Sequence, residues 1–223
     1  YNSLGKKITG EEAFILFTSH GFPVELTQEL ADRDSRTVDI ERFKQKMKEH
    51  QELSRTAAAG RFKGGLADAS VQTTRMHTAN HLLLAALRKV LGNHVHQRGS
   101  NITSERLRLD FLHPNKLTPE ELKNVEDLVN QKVKENLDMV RKEMPKEEAI
   151  KIGAEMEFGV KYGDVVSVYF AQDKKGNVFS KEFCGGPHVK STGELKNFKI
   201  VKEESVASGI RRIRGILIEQ GQR

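Results

Sequence analysis

Residues 183–188 read FCGGPH and hold the chain's one cysteine, Cys184, four positions before His188. A thiol and an imidazole that close are two metal-ligand types in one short loop. Gly185 and Gly186 are expected to let the backbone bend there, and Pro187 to stiffen the approach to His188. A second pair lies in HTANH, where His77 and His81 stand at i and i+4. On a helix these two share a face, one turn apart. Each feature alone has a bland reading: Cys184 as a small buried hydrophobe, the histidines as packing or capping residues. Together they supply three nitrogens and one sulfur, the donor set of a tetrahedral zinc site. Four protein ligands point to a closed structural site and three plus water to an open catalytic one; the residue count leaves both open. Position 78 is Thr, so the glutamate base of an H-E-x-x-H motif is absent.

Two further stretches carry chemistry. In HVHQRGS (94–100), His94 and His96 alternate as they would on a strand, which makes them a competing metal pair or two exposed histidines. Gln97 and Ser100 are polar groups suited to reading an amino acid or a 3′-terminal ribose. In GIRRIRG (209–215), strand alternation puts Arg212 on one face with Arg214, and Arg211 on the other. Guanidinium groups suit phosphate, so Arg211 and Arg212 are candidate RNA contacts; the alternative is a basic sheet edge. FKGG (62–65) lacks the G-K-[ST] of a phosphate loop.

The elements that must position these residues read as follows. Residues 8–60 form helices: Thr9 caps the first with Glu12 completing a capping box, Gly21 and Pro23 break it, Val24–Arg33 is the second, and Asp39 opens a third that ends at Gly60. Residues 61–74 are a glycine-containing linker. His77–Leu91 is a buried helix stopped by Gly92. Residues 101–111 alternate as a strand with Leu107, Leu109 and Phe111 on one face. Residues 118–144 read as one long amphipathic helix with Thr118 as cap and Pro119 at its first position. KEEAIKIG adds a helical turn or two, DVVSVYFAQ and VFSKEF form a hairpin across DKKGN, and FKIVKEESV and GIRRIRGILIE close as strands. The order predicts an α+β fold with an antiparallel sheet, a helical segment at 1–60, a linker at 61–74 and a second domain at 75–223.

The chain has 223 residues, 37 Lys+Arg against 31 Asp+Glu, and a formal net charge of +6. That mild basicity permits a polyanionic partner without demanding one. No apolar run reaches the roughly 18 residues of a membrane span, and YNSLGKKITG has no signal-peptide core. One cysteine excludes an internal disulfide framework and fits a reducing compartment, so a cytoplasmic location is expected.

Five stretches (MHTANHLLLAALRKVLG, HVHQRGS, LRLDF, FCGGPHVKSTGELKNFKI and SGIRRI) occur in the order found in the editing domain of alanyl-tRNA synthetases, which the chain resembles over about residues 70–218. The upstream helices resemble the segment that joins that family's aminoacylation module to its editing module. The resemblance implies a fragment of a larger synthetase that hydrolyses mischarged Ser-tRNA(Ala) and Gly-tRNA(Ala). It implies tRNA(Ala) as partner, zinc on His77, His81, Cys184 and His188, and Gln97 as a catalytic-pocket residue that sets specificity. ATP and Mg2+ belong only to the aminoacylation module, whose motifs are not visible, and homo-oligomerisation would use a domain not seen here. The chain departs from the family at Asn80 and Pro187, where Thr is common, at Arg214, where Glu is common, and in lacking the β-barrel that precedes the His77–His81 helix. C-x-G-P-H is closer to the threonyl-type editing domain. Threonyl-type or trans-editing deacylation, a non-catalytic tRNA-binding module with a structural zinc, and a hydrolase of small amino-acid esters therefore stand beside the main reading.

Overall fold

The structure, a computed structural model, describes residues 5–59, 66–157 and 160–219. The chain divides into two compact units, Tyr1–Gly60 and Arg61–Arg223. The expected helix end at Gly60, the first part of the 61–74 linker and the FKGG stretch lie outside the described residues.

Among its described residues the first unit holds three helices, α1 (Gly10–His20), α2 (Val24–Arg33) and α3 (Ile40–Ala59). Thr9 and Glu12 make the expected capping box on α1, and Gly21 ends the helix in the left-handed region at φ 64°. A non-glycine residue would be strained there. Two short strands that the sequence does not signal, β1 (Lys7–Ile8) and β2 (Thr37–Val38), pair in parallel. Ile8, Ala13, Ala31 and Phe43 are the unit's core.

The second unit begins with α4 (Val71–Leu91). The expected linker is therefore shorter. Residues 71–74 are the helix's first turn, capped by Ser70, whose Oγ accepts the Thr73 N–H. Thirteen residues of α4 are buried, from Thr73 to Leu87, as befits a helix apolar on nearly every side. Next come β3 (Gln97–Ile102) and β4 (Leu107–Leu112), an antiparallel pair turned at Thr103–Arg106. The stretch read as one strand is thus a hairpin, though Leu107, Leu109 and Phe111 do share the buried face. His94 and His96 precede β3, so they are not strand neighbours.

The helix expected at 118–144 ends early, as α5 (Pro119–Lys134). Asn136 takes a left-handed φ of 53°, and its Oδ1 accepts the Gly193 N–H at 2.8 Å. The Thr192 hydroxyl donates to the Lys132 carbonyl and accepts the Leu137 N–H, closing the helix end. The remaining residues pair as β5 (Asp138–Pro145), followed by α6 (Lys146–Lys151), β6 (Val165–Gln172) and β7 (Val178–Phe183). A 3-10 turn at Thr192–Leu195 leads to β8 (Asn197–Ala207) and β9 (Ile210–Ile218).

Among the described residues of the second unit the strands form two antiparallel sheets rather than one, ordered β3-β4-β9-β8 and β5-β6-β7. The fold class is α+β, as expected. Helices α4 and α5 bury Leu82, Leu83, Leu87, Val125 and Val129 against Leu109, Phe111, Phe198 and Ile213 of the first sheet. A second cluster, including Ala149, Val168, Phe170 and Phe183, lies by the three-stranded sheet. The edge strand β8 is covered by α5: Asn130 accepts the Phe198 N–H and donates to the Phe198 carbonyl, each at 2.8 Å, and Glu126 accepts the Ile200 N–H at 2.6 Å. Pairing these groups blunts the edge against other chains.

Candidate metal centre and its adjoining pocket

Helix α4 and the loop after β7 bring His77, His81, Cys184 and His188 together, with one donor atom of each within 4.8 Å of all the others. Cys184 Sγ lies 3.4 Å from His77 Nε2 and 3.4 Å from His188 Nε2. Those separations match the edges of a tetrahedron with zinc–ligand bonds of about 2.0–2.3 Å. The helical i, i+4 spacing sets the His77 and His81 rings 5.0 Å apart, and His188 stacks on His77 at 4.1 Å.

The outward ring nitrogens of His77 and His188 are held, which fixes their inward ones as acceptors. His77 Nδ1–H donates to the Pro187 carbonyl at 2.9 Å, so Nε2 keeps its lone pair toward Cys184. The Thr78 hydroxyl lies 3.0 Å from His188 Nδ1, donates to the Thr74 carbonyl at 3.2 Å and accepts the Val189 N–H at 3.2 Å. Its single proton goes to Thr74, so His188 Nδ1–H donates and His188 Nε2 is free to ligate. His81 Nε2 stands 3.6 Å from Glu182 Oε2, and its buried Nδ1 has no hydrogen-bond partner. A metal ion is the kind of partner that orphaned nitrogen lacks. Gly185 and Gly186 sit in the loop without a positive φ. Gly186 directs its N–H at Cys184 Sγ, 3.4 Å away.

Burial sets the electrostatics. It holds His77 down to about 4 and lowers His81 and His188 as well, with the neighbouring imidazoles adding to the last two. All three are neutral and ready to ligate near pH 7. Burial pushes the Cys184 thiol up to about 12, and raises Glu182, whose Oε1 accepts the Ser180 hydroxyl. A thiolate and a carboxylate buried here lack a cation among the described side chains that touch them, so the donor set fits a dication.

A cavity of about 20 Å³, room for roughly one water, adjoins the cluster, lined by Asn80, Leu84, Gln97, Glu157, Glu182 and Phe183 together with His77, His81 and Cys184. Glu157, Phe183 and Cys184 also border a wider cleft of about 330 Å³ with Tyr162, Val166 and Gly185. Gln97 is buried, at the start of β3, and its Oε1 lies 3.4 Å from Asn80 Nδ2. Its side chain also hydrogen-bonds Glu157, whose carboxyl burial holds above the usual range. Asn80 Oδ1 is buried without a partner.

His94 and His96 stand apart from this centre. His94 Nε2 pairs with His113 Nδ1 at 2.9 Å, while His96 Nδ1 pairs with Glu155 at 3.1 Å. Arg211 faces the core side of β9 and is tied to the buried Glu203. Arg212 makes a two-point pair with Asp110 at 2.6 and 2.9 Å. Sequence reasoning gave no site role to Thr78, Asn80, Glu157 or Glu182. Strand alternation could have found Glu182, two residues before Cys184 on the same face.

Two family models match: "tRNA synthetases class II (A)" over residues 1–102, and "Threonyl and Alanyl tRNA synthetase second additional domain" over residues 166–214. Among curated proteins, the alanine–tRNA ligase of Treponema denticola is 56% identical over 212 residues, 95% of this chain and 34% of the relative. That of Borrelia hermsii is 51% identical over 96% of this chain and 35% of the relative, and that of Treponema pallidum 48% over 98% and 35%. The chain spans about a third of the length of these relatives.

Proposed function

Since the chain belongs to the alanine–tRNA ligase family and carries its second additional domain, we propose that it is the family's editing module, hydrolysing the ester of mischarged Ser-tRNA(Ala) and Gly-tRNA(Ala). The observation that carries the reading is a buried donor set of three imidazoles and a thiol whose Cys184 also borders a cleft of about 330 Å³. A site built for alanine cannot exclude glycine by size or reject serine strongly for an added hydroxyl, so a second, hydrolytic site is what such a ligase requires.

His77, His81, Cys184 and His188 would hold zinc, which when bound supplies the positive charge that polarises an ester carbonyl or acidifies a water. The chain's own residues do the rest. Thr78 and the Pro187 carbonyl hold His188 and His77 in the ligating tautomer. Glu182 Oε2 lies 3.6 Å from His81 Nε2, beside that ring. Gln97 reads the aminoacyl side chain, offering amide groups to a seryl hydroxyl. Asn80 Oδ1 is an unpaired acceptor for a substrate hydroxyl or ammonium. Leu84 and Phe183 help to line the pocket with apolar surface. Thr or Asn at position 80 would both offer an acceptor, so that departure keeps the chemistry.

The test is hydrolysis of Ser-tRNA(Ala) with Ala-tRNA(Ala) alongside. Fast loss of the seryl ester, sparing of the alanyl ester and collapse in Cys184→Ala support the reading. A folded, zinc-loaded chain that binds tRNA and hydrolyses neither ester would leave a tRNA-binding module with a structural zinc, which four protein ligands also fit.

A further inference from the structure

Strand register divides the arginines of β9 between two environments. Arg211 shares the inward face with Ile213 and Gly215, beneath which α4 and α5 pack. Arg212 and Arg214 point the other way, opposite Asp110 and Arg108 on β4 and opposite Glu204 and Lys202 on β8. Lys199 pairs with Ile216 in the same outward row. The outer face of these three strands thus carries five cationic side chains and two carboxylates. That excess of three positive charges is half of the chain's formal +6, gathered on one side of one sheet.

Each carboxylate is shared. Asp110 holds Arg212 in a two-point pair and has Arg108 at 3.8 Å, while Glu204 takes Lys202 at 2.6 Å and Arg214 at 2.9 Å. The pairs hold the guanidinium groups side by side without cancelling them. The side chains of Arg214 and Lys202 remain 41% and 54% exposed. Strand geometry sets the Cα atoms of these residues roughly 4.8 Å apart between neighbouring strands and roughly 6.8 Å apart two residues along one strand, so the charge is spread over a grid rather than gathered at a point. A grid of that kind matches a backbone of regularly spaced phosphates, which guanidinium grips at two oxygens.

We infer that the outer face of β4, β9 and β8 binds the phosphate backbone of the RNA whose 3′ end enters the pocket, through the exposed Lys199, Lys202 and Arg214. The inference rests on the reading of an aminoacyl-tRNA substrate. It moves the RNA contact expected at Arg211 to the other side of the sheet, because Arg211 is buried against Glu203. The strand β3, whose first residue Gln97 borders the cavity beside the cluster, is the last strand on that side of the sheet, with Leu66 bridged to its far end at Ile102.

The experiment uses the 223-residue chain and deacylated tRNA(Ala), with binding measured across a salt series so that hydrolysis plays no part. Lys202→Ala and Arg214→Ala, singly and together, should weaken binding by about tenfold per lost phosphate contact at roughly 0.1 M salt, and should lower the salt slope by about 0.7–0.9 per contact. Lys123→Ala, on exposed α5 and paired with Asp127, is the control and should bind as the parent does. In deacylation the double variant should raise KM and leave kcat. Unchanged affinity and slope in the double variant would overturn the inference while leaving the editing reading intact. Tight, salt-dependent binding lost in the variants, with no ester hydrolysis by the parent chain, would uphold the inference and sink the editing reading. Displacement of the tRNA by an acidic peptide at matched charge and equal concentration would overturn the RNA assignment in favour of an acidic protein.

Discussion

Replacing Thr78 with valine keeps the shape of a fully buried side chain and deletes one hydroxyl. That hydroxyl accepts the His188 Nδ1–H at 3.0 Å and the Val189 N–H at 3.2 Å while donating to the Thr74 carbonyl. The Thr74 carbonyl already serves the helix, so its loss is small. The two N–H donors are the cost. A buried donor left unpaired costs about 1–3 kcal/mol, so Thr78→Val should destabilise the fold by about 2–6 kcal/mol, toward the low end if a water reaches the gap. His188 also loses the contact that fixes its tautomer, and outer partners of this kind are worth about 10–100-fold in metal affinity. Two assays read the two effects: the denaturant midpoint at unchanged m, and zinc affinity by competition with a chelator. Thr78→Ser, which keeps the hydroxyl, should recover most of both. A Thr78→Val chain that held zinc within about twofold of the parent would refute the claim that this hydroxyl orients His188.

Further outcomes follow from the same geometry. Asn130→Ala unpairs the Phe198 N–H and carbonyl at the covered edge of β8, and should cost about 2–4 kcal/mol in chemical unfolding; a loss under about 0.5 would contradict the edge-covering role. Gly215→Ala sets a methyl against the ring of Phe198, which is 1% exposed and cannot retreat, so about 1–3 kcal/mol of stability should go, read as a lower Tm. Gln97→Ala should leave tRNA affinity unchanged and alter the ratio of Ser-tRNA(Ala) to Gly-tRNA(Ala) hydrolysis; an unaltered ratio would remove Gln97 from the specificity role.

Much of this molecule was legible in the sequence because its signals are local. Thr9 and Thr118 each stand three residues before a glutamate, and both capping boxes form. The spacing of His77 and His81 is a helical turn, and Cys184 and His188 sit on one loop, so each half of the centre is local and only the meeting of the halves is tertiary. The failures have physical causes. Residues 135–144 are rich in helix formers, yet Asn136, held by Gly193, turns the chain and β6 recruits the following segment into a sheet. The turn at 103–106 contains no glycine, so nothing marked the break between β3 and β4. Ser70 caps α4 without a glutamate or glutamine three residues on, which hid the helix start. The Pro187 carbonyl that holds His77 is a backbone group and leaves no mark in the sequence. The partner of Arg211 depends on the β8–β9 register, which strand alternation alone does not give.

The claim on which the rest depends is that His77, His81, Cys184 and His188 bind one metal ion through three nitrogens and one sulfur. The direct measurement is the absorption spectrum of the chain loaded with one equivalent of Co2+, in the parent, in Cys184→Ser and in a His94→Ala/His113→Ala double variant. A site of this donor set gives a thiolate-to-metal charge-transfer band in the parent, loses it in Cys184→Ser and keeps it in the double variant. A parent spectrum without a thiolate band, or one abolished by removing His94 and His113, would contradict it.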